Sequence, residues 1–381
     1  MIFLYVAPRY HTNQVPIMEY LVDQGHEVHF LAYRKEKTEN YDVVSPQFCK
    51  PSLYFRMKVY LFFRREANST KRERFRMSKF MPSFIWTLLY IRKVKPNVII
   101  IRNRNFATSV MYFAGKLCGV SHILLYIQDA CYAKQIRKDG AFKRFVKHII
   151  YPSKVYSPVD RSEITSENLI QMGYHFIPFA MNFDDKIVQG RSYLRGGLIN
   201  IIDVGKYRDY KNHFVLVKAV ALLPEEIRNQ FRISIIGQAY SEEEKRYKSE
   251  LESFISDNDL SSIIRSMEAV PYSEMIDQYL SHDIFILTSK VEAASISLLE
   301  AMKYGNVCIS TNRNGTASYI NNDLGYIFES DNAESLKDVL LNITDNKPQI
   351  PQMGKQTYEY AKRNYSTASY FNKLMQLIDE Q

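Results

Sequence analysis

An α/β chain made of two doubly wound domains is what this sequence predicts, and three observations predict it. Residues 282–311 (HDIFILTSKVEAASISLLEAMKYGNVCIST) alternate strand, helix and strand. The apolar run 283–287 has strand length, Ile296, Leu298, Leu299 and Met302 recur at helical spacing, and 307–309 is apolar again after Gly305. A unit of this size joins parallel strands. The same alternation opens the chain and returns beyond residue 199. At 381 residues the chain is long for one hydrophobic core, so two domains are expected.

The first domain begins with a strand over 2–7, a break between Pro8 and Pro16, a helix from about 17 to 23, and a strand over 28–32 after Gly25. Lys95-Pro96-Asn97 leads into a strand at 98–101 that ends in Arg102-Asn103-Arg104-Asn105. A helix to about Leu117 and a strand at 123–127 follow, and that strand ends in Gln128-Asp129. Both polar clusters stand at the carboxyl ends of strands, where open parallel sheets bind ligands. For Asp129, loop capping is the alternative to a substrate contact. Strands at 154–157 and 176–178 complete the domain, and a polar linker over 184–197 marks its boundary.

The second domain opens with a strand over 199–204, then Gly205-Lys206, with Lys211-Asn212 ahead of a helix from about 213 to 223. Two lysines near a helix N-terminus add positive charge where backbone N–H groups already point outward, which makes an anion site; a solvated basic loop is the plainer alternative. A strand over 231–236 ends at Gly237, and glycine at a strand end permits a sharp turn. A charged amphipathic helix over 240–257 is a surface element. The loop after 283–287 carries Glu292, with Glu300 eight positions on in the next helix. Ser297-x-x-Glu300 also fits a capping box in which Glu300 reaches back to the Ser297 backbone, and Glu292 also fits a solvated loop acid. A further strand–helix repeat over 314–328 and helices at about 333–342, 353–363 and 367–378 end the chain.

Composition narrows the class. Hydrophobic residues at 46% with 24% charged residues fit a soluble globular protein. No apolar run approaches the roughly 18 residues of a spanning helix. The chain enters its first strand without a basic start or cleavage site, so no signal peptide is expected. Cys49, Cys118, Cys131 and Cys308 lie far apart with no metal-like spacing, which points to buried free thiols in a reducing cytoplasm. Residues 56–95 hold twelve Lys/Arg against Glu66 and Glu73, a net +10 in a chain of net +9, so the basicity belongs to that one segment. It interleaves those cations with Tyr60, Phe62, Phe63, Phe75, Phe80, Phe84, Trp86 and Tyr90. An anionic membrane surface suits such a mixture. The alternative for 84–91 is an ordinary core helix.

Residues 292–307 (EAASISLLEAMKYGNV) resemble the glutamate-x7-glutamate signature of the retaining glycosyltransferases of family 4. These have the GT-B fold, two facing Rossmann-like domains with a nucleotide-sugar cleft between them. The family's first glutamate is usually followed by Gly-Phe-Gly; Ala293, Ala294 and Ser295 stand there instead. Val204-Gly205-Lys206 with Lys211-Asn212 is similar to the family's diphosphate-holding element, residues 268–273 (EAVPYS) to its base-contacting loop, and 176–182 (FIPFAMN) to its crossing between domains. The resemblance covers nearly the whole chain and is thin over 33–95.

The resemblance implies an acceptor-binding domain over 1–182, a donor-binding domain over 183–365, and a last helix, 366–381, returning to the first. It assigns the donor to Gly205, Lys206, Lys211, Val270, Glu292, Ala293, Ala294, Ser295, Ile296 and Glu300. Lys206 and Lys211 would steady the leaving diphosphate together with the helix N-terminus after Ser295. Glu292 would hold sugar hydroxyls and offset the oxocarbenium charge, and Glu300 would hold the ribose. Acceptor or sugar contacts fall to Arg9, His11, Arg102, Arg104, Gln128 and Asp129. The loop 8–15 lacks the family's glycine pair, and Gln128-Asp129 stands where a histidine is common. The implied reaction moves a sugar from a UDP- or GDP-sugar, with retention, to a saccharide or lipid-linked saccharide in cell-surface polysaccharide synthesis. No cofactor, bound metal or nucleic acid is expected, and the place is the inner face of the cytoplasmic membrane. A sugar-nucleotide 2-epimerase of the same fold and a basic nucleic-acid binder are the alternatives. The basic aromatic segment argues against the first, and the absence of a nucleic-acid-binding motif against the second.

Overall fold

A computed structural model describes residues 1–10, 12–34, 43–63, 80–128, 146, 149–160, 174–321 and 323–380. The chain divides into two compact units. Unit 1 takes in Met1–Gln128, Ile136–Ala180 and Thr367–Gln381, and unit 2 takes in Asp129–Gln135 and Met181–Ser366.

Unit 1 is built on a parallel sheet. Its described strands are β1 (Ile2–Ala7), β2 (Glu27–Ala32), β3 (Gln47–Phe48), β4 (Val98–Arg102), β5 (His122–Tyr126), β6 (Val155–Ser157) and β7 (Tyr174–Phe176), in the order β3-β2-β1-β4-β5-β6-β7. The central strands are apolar throughout because helices cover both faces. Phe3, Tyr5 and Ile100 pack on one side with Met18, Leu374 and Leu377, and Leu4, Val6, Ile99 and Ile101 on the other with Ile91 and Met111. Asn105 caps the helix Phe106–Leu117 through a reciprocal pair with Thr108. The last helix, Thr367–Asp379, is held by a Tyr156–Tyr370 hydroxyl contact of 2.9 Å. Lys154 Nζ donates to the carbonyls of Leu377 and Ile378, satisfying the helix end with a positive charge.

Unit 2 repeats the plan. Strands β8 (Ile199–Val204), β9 (Phe231–Gly237), β10 (Ile264–Glu268), β11 (Ile284–Leu287), β12 (Val307–Thr311) and β13 (Gly325–Phe328) lie parallel in the order β10-β9-β8-β11-β12-β13. Gly205 and Gly237 do not have positive φ, so no left-handed backbone requires glycine at either position. A Cβ on Gly237 would stand 1.9 Å from the Gly205 carbonyl oxygen. Glycine is required there for close approach of two chain segments.

Several boundaries differ from the sequence expectation. The strand expected at 176–178 lies at Tyr174–Phe176. The stretch 184–197 is no free linker: the Asp185 carboxylate accepts from Lys362 at 2.7 Å, and Tyr193 donates to the Gly305 carbonyl at 3.0 Å, both within unit 2. The charged helix begins at Glu242, with Ser241 as its cap. Cys49 and Cys308 are buried thiols, and burial pushes Cys49 up to about 12, but Cys118 is only half-buried. Cys131 lies outside the described residues. Within the basic segment, Leu53–Phe63 and Phe84–Val94 are helices, and residues 64–79 lie outside the described residues. Thr87, Tyr90 and Ile91 are buried, so the second helix is in part a core helix. Among the described residues no helix is long and apolar enough to cross a membrane.

Candidate active site

In unit 2, β8 and β11 are neighbours, and the chain leaves them to opposite sides of the sheet. Their carboxyl ends form the switch point at which such sheets bind ligands. The loop after β8 carries Gly205, Lys206 and Lys211, and the loop after β11 carries Glu292. The two loops meet. Lys211 Nζ donates to Glu292 Oε2 at 2.6 Å, and both side chains are half-buried. Lys290 braces the same junction, with its N–H on the Tyr210 carbonyl at 2.9 Å and its ammonium on Asp209 at 2.8 Å. Lys206 is exposed, and its ammonium joins neither acid.

Beneath the loops lies a buried polar cluster that sequence reasoning missed. Asp203, in β8, is 1% exposed and His213 is fully buried. Their contact, Nδ1 to Oδ2, is 2.8 Å, and the other ring nitrogen lies 3.2 Å from the Lys206 carbonyl oxygen. The Thr288 hydroxyl lies 2.9 Å from Asp203 Oδ2 and 2.7 Å from the Lys211 carbonyl oxygen, which share its one proton. Both lysine-bearing peptides are thereby tied to one buried carboxylate. The available signal was an acid inside an apolar strand, which folding tolerates only when it is paired. Arg208 in the same loop is fixed by Glu244, 2.5 Å from its Nε. The Ser241 backbone N–H first, and Arg208 after it, hold the Glu244 carboxyl at about 2.

The helix Ile296–Lys303 starts differently from the capping box over Ser297 and Glu300. Its N-cap is Ser295, whose hydroxyl accepts from the Leu298 N–H at 3.2 Å. The Ser297 hydroxyl lies 3.0 Å from the Ser295 hydroxyl. Glu300 instead accepts from the Tyr279 hydroxyl at 3.0 Å. Burial raises the Glu300 carboxyl above the usual carboxylate range, against the lowering effect of the Tyr279 and Tyr272 hydroxyls. Ala293 and Ile296 are half-buried, Ala294 is buried, and Val270 lies half-buried in the short connection between β10 and the helix Tyr272–Ser281. One Asp-x-Asp pair does occur, at Asp257 and Asp259. It is exposed at the carboxyl end of the helix Glu242–Asp257, away from these loops.

In unit 1 the switch point lies between β1 and β4. Arg9 is two residues past β1, Arg102 ends β4, and Arg104 is two residues further on. Arg102 Nη2 donates to Gln128 Oε1 at 2.6 Å, so the structure brings these two together. Asn103 takes positive φ, and its N–H reaches the Tyr126 carbonyl at 2.9 Å, which turns the chain at the strand end. Arg9 and Arg104 share this edge. His11 and Asp129 lie outside the described residues.

Comparison with known proteins follows the same outline. Residues 191–363, most of unit 2, match the family profile "Glycosyl transferases group 1". An Escherichia coli relative, UDP-Gal:alpha-D-GlcNAc-diphosphoundecaprenol alpha-1,3-galactosyltransferase, is 24% identical over 147 residues, a match spanning 32% of this chain and only 38% of that protein. In structure the chain is similar to a glycosyltransferase from Rickettsia africae, with a TM-score of 0.72 and 15% identity over 99% of this chain and 97% of that one. It is similar also to Anabaena HepE in complex with UDP, at 0.69 and 12% identity over 98% of each chain. A lipopolysaccharide outer core galactosyltransferase, WaaB, gives 0.67 and 14% identity over 99% of each. Residues 191–363 thus match the group 1 glycosyl transferases, and the two Rossmann-like sheets share the fold of the GT-B glycosyltransferases.

Proposed function

We propose that this enzyme transfers a sugar from a nucleoside diphosphate sugar to a hydroxyl of a saccharide or lipid-linked saccharide, with retention at the anomeric carbon. The Lys211–Glu292 pair carries the reading, because it sets a cation and an anion side by side at the switch point of unit 2. Cleavage of a glycosyl phosphate leaves negative charge on the diphosphate and positive charge on the sugar carbon, and a fixed pair of this kind answers both. Lys211 and Lys206, with the N–H groups after Ser295, take the leaving diphosphate. Glu292 takes the sugar hydroxyls and the developing oxocarbenium charge, and Glu300 the ribose. Backbone near Val270 faces the base. The acceptor hydroxyl attacks from the face the phosphate leaves, and the departing phosphate oxygen accepts its proton. Acceptor contacts are assigned to Arg9, Arg102, Arg104 and Gln128, together with His11 and Asp129. UDP is the favoured nucleotide because the similar Anabaena protein is described in complex with UDP; GDP is the competitor. Calorimetric titration of UDP and GDP tests the reading. Lys211→Ala should weaken the preferred nucleotide by about tenfold or more, the scale of a charge-assisted hydrogen bond. Unchanged binding would withdraw the assignment.

A peripheral place on an anionic membrane belongs to the same proposal. On the helix Leu53–Phe63, Leu53, Met57, Tyr60 and Leu61 line one face and are exposed. Ile85 and Leu89 are exposed on Phe84–Val94. Neither helix contains an acid, and they carry Arg56, Lys58, Arg92 and Lys93. Apolar exposure with one sign of charge suits lipid headgroups, each cation contributing roughly 1 kcal/mol near an anionic bilayer. Vesicle co-sedimentation should show binding that needs anionic lipid, falls with salt, and drops when Arg72, Arg74 and Arg76 become glutamate. Equal binding to neutral vesicles would remove the membrane claim.

A further inference from the structure

Unit 1 holds a pocket beside the carboxyl ends of β1, β4 and β5, bordered by Asn13, Arg102, Tyr126, Tyr156 and Tyr370. Among the described residues Arg102 is the one charged side chain in its lining, and no carboxylate borders it. The partners of Arg102 are neutral: Gln128 Oε1 at 2.6 Å and the ring of Tyr126, 5.8 Å from the guanidinium carbon. Among the described residues no Asp or Glu pairs with it. Burial raises the hydroxyls of Tyr126 and Tyr156, and that of Tyr370 to about 12, so these walls add no negative charge at working pH. The described acids nearest this edge are Asp160, beyond β6 and two strands from β4, and Glu19, within electrostatic reach of Tyr10 just past β1; neither borders the pocket, and Asp129 lies outside the described residues.

A half-buried guanidinium with a neutral partner keeps most of its five N–H donors for something else, and its attraction for an anion strengthens as water is excluded. Gln128 turns its carbonyl oxygen to Arg102, which leaves both amide N–H donors for a ligand. Arg9 and Arg104, at the same sheet edge, add positive potential. We propose that this pocket seats an anionic group of the acceptor, a carboxylate or a phosphate, on Arg102 with the Gln128 amide as second donor. The proposal rests on unit 1 being the acceptor side of the transfer. It makes charge a requirement: a neutral saccharide leaves the guanidinium unanswered.

Ligand-observed NMR titration of the full chain with glucuronic acid, glucose 1-phosphate and glucose tests it, and UDP titration of the same sample checks unit 2. At least one of the two anionic sugars should bind at least tenfold more tightly than glucose. Glucuronate alone would identify a carboxylate, glucose 1-phosphate alone a phosphate ester, and both an anion site of either kind. Arg102→Gln should remove the preference. Gln128→Glu should remove it as well, by setting a carboxylate of the chain itself against Arg102, in a protein whose UDP binding is unchanged. Equal binding of all three sugars, no binding by any, or an anion preference that survives both substitutions would overturn the proposal. UDP binding without anion binding leaves the donor reading standing and this one refuted; anion binding without UDP binding does the reverse.

Discussion

Replacing Glu292 by glutamine should make the protein bind UDP more tightly while it loses turnover. In the unliganded chain the ammonium of Lys211 is 2.6 Å from the Glu292 carboxylate, with 16% and 21% of the two side chains exposed. A pair so covered is screened less than a surface pair, and an effective dielectric of about 20 to 40 is appropriate. A diphosphate taken up by Lys211 would sit about 5 Å from that carboxylate, where two like charges repel by roughly 2–3 kcal/mol. The nucleotide must also draw Lys211 away from a charge-assisted hydrogen bond. Glutamine keeps the shape, removes the repulsion and leaves the weaker neutral hydrogen bond. If water and salt cancel about half of the effect, some 1.4 kcal/mol remains, which is about tenfold in Kd. Turnover should fall by about 100-fold or more, since the carboxylate is assigned to a charge that exists only in the transition state. Calorimetry of UDP and a donor-consumption assay on Glu292→Gln measure the two halves. Equal or weaker UDP binding would show that the pair is a structural brace and not a divided donor site.

Two further carboxylates separate by pH. Burial raises Glu300 in the folded protein, so its protonated form is the one folding favours. Stability relative to Glu300→Gln should therefore fall as pH rises from the ordinary carboxylate value of about 4.3 through the raised one, and stay lower above it. The glutamine variant should match the wild type in Tm near pH 4, exceed it near pH 8, and bind UDP more weakly because a neutral amide replaces the charged acceptor assigned to the ribose. A Tm difference independent of pH would contradict the burial argument. Glu244 works in the opposite direction: held at about 2 by the Ser241 N–H and then Arg208, it contributes stability that is whole above the unfolded value and is lost as pH falls towards 2. The Tm deficit of Glu244→Gln should be present at neutral pH and vanish in acid. UDP affinity should fall as well, because Arg208 is released within the donor loop.

The strands were legible because the sheets are parallel and covered on both faces, so each central strand is a short apolar run between polar breaks. Most described strands fall within a residue or two of the expected positions. Features decided by distant parts of the chain were not legible. Ser295 and Ser297 are both plausible helix caps from sequence. Ser295 takes the role because its N–H is held by Thr316 Oγ1 at 3.2 Å, which fixes an extended backbone at φ −91°, ψ 119°. Glu300 looked like a capping-box acid because Tyr279, its hydroxyl partner, lies on another helix. The stretch 184–197 read as a linker from its polarity alone, and distant partners such as Lys362, Tyr358, Asp283 and the Gly305 carbonyl reveal that its polar groups are spoken for.

The replacement of glycines after Glu292 can be judged in the same physical terms. A glycine is indispensable where φ is positive or where a Cβ would strike a neighbour. None of residues 292–296 has positive φ. The loop is held by its backbone, with the Glu292 N–H on the Arg313 carbonyl at 3.2 Å and the Gly315 N–H on the Glu292 carbonyl at 3.1 Å. Ala293, Ala294 and Ser295 therefore keep the loop in place without left-handed geometry. The side chains of Ala293 and Ser295 also lower the entropy of the unfolded loop relative to glycine. The outward N–H groups on which an anion would rest are backbone groups, and they survive the substitution. The side chains at 293 and 295 take up space a glycine would leave, while Ala294 in place of phenylalanine gives space back. On the proposed function, the departure from the family pattern would therefore bear on the shape of the sugar admitted beside Glu292, and would leave the backbone means of holding a diphosphate in place.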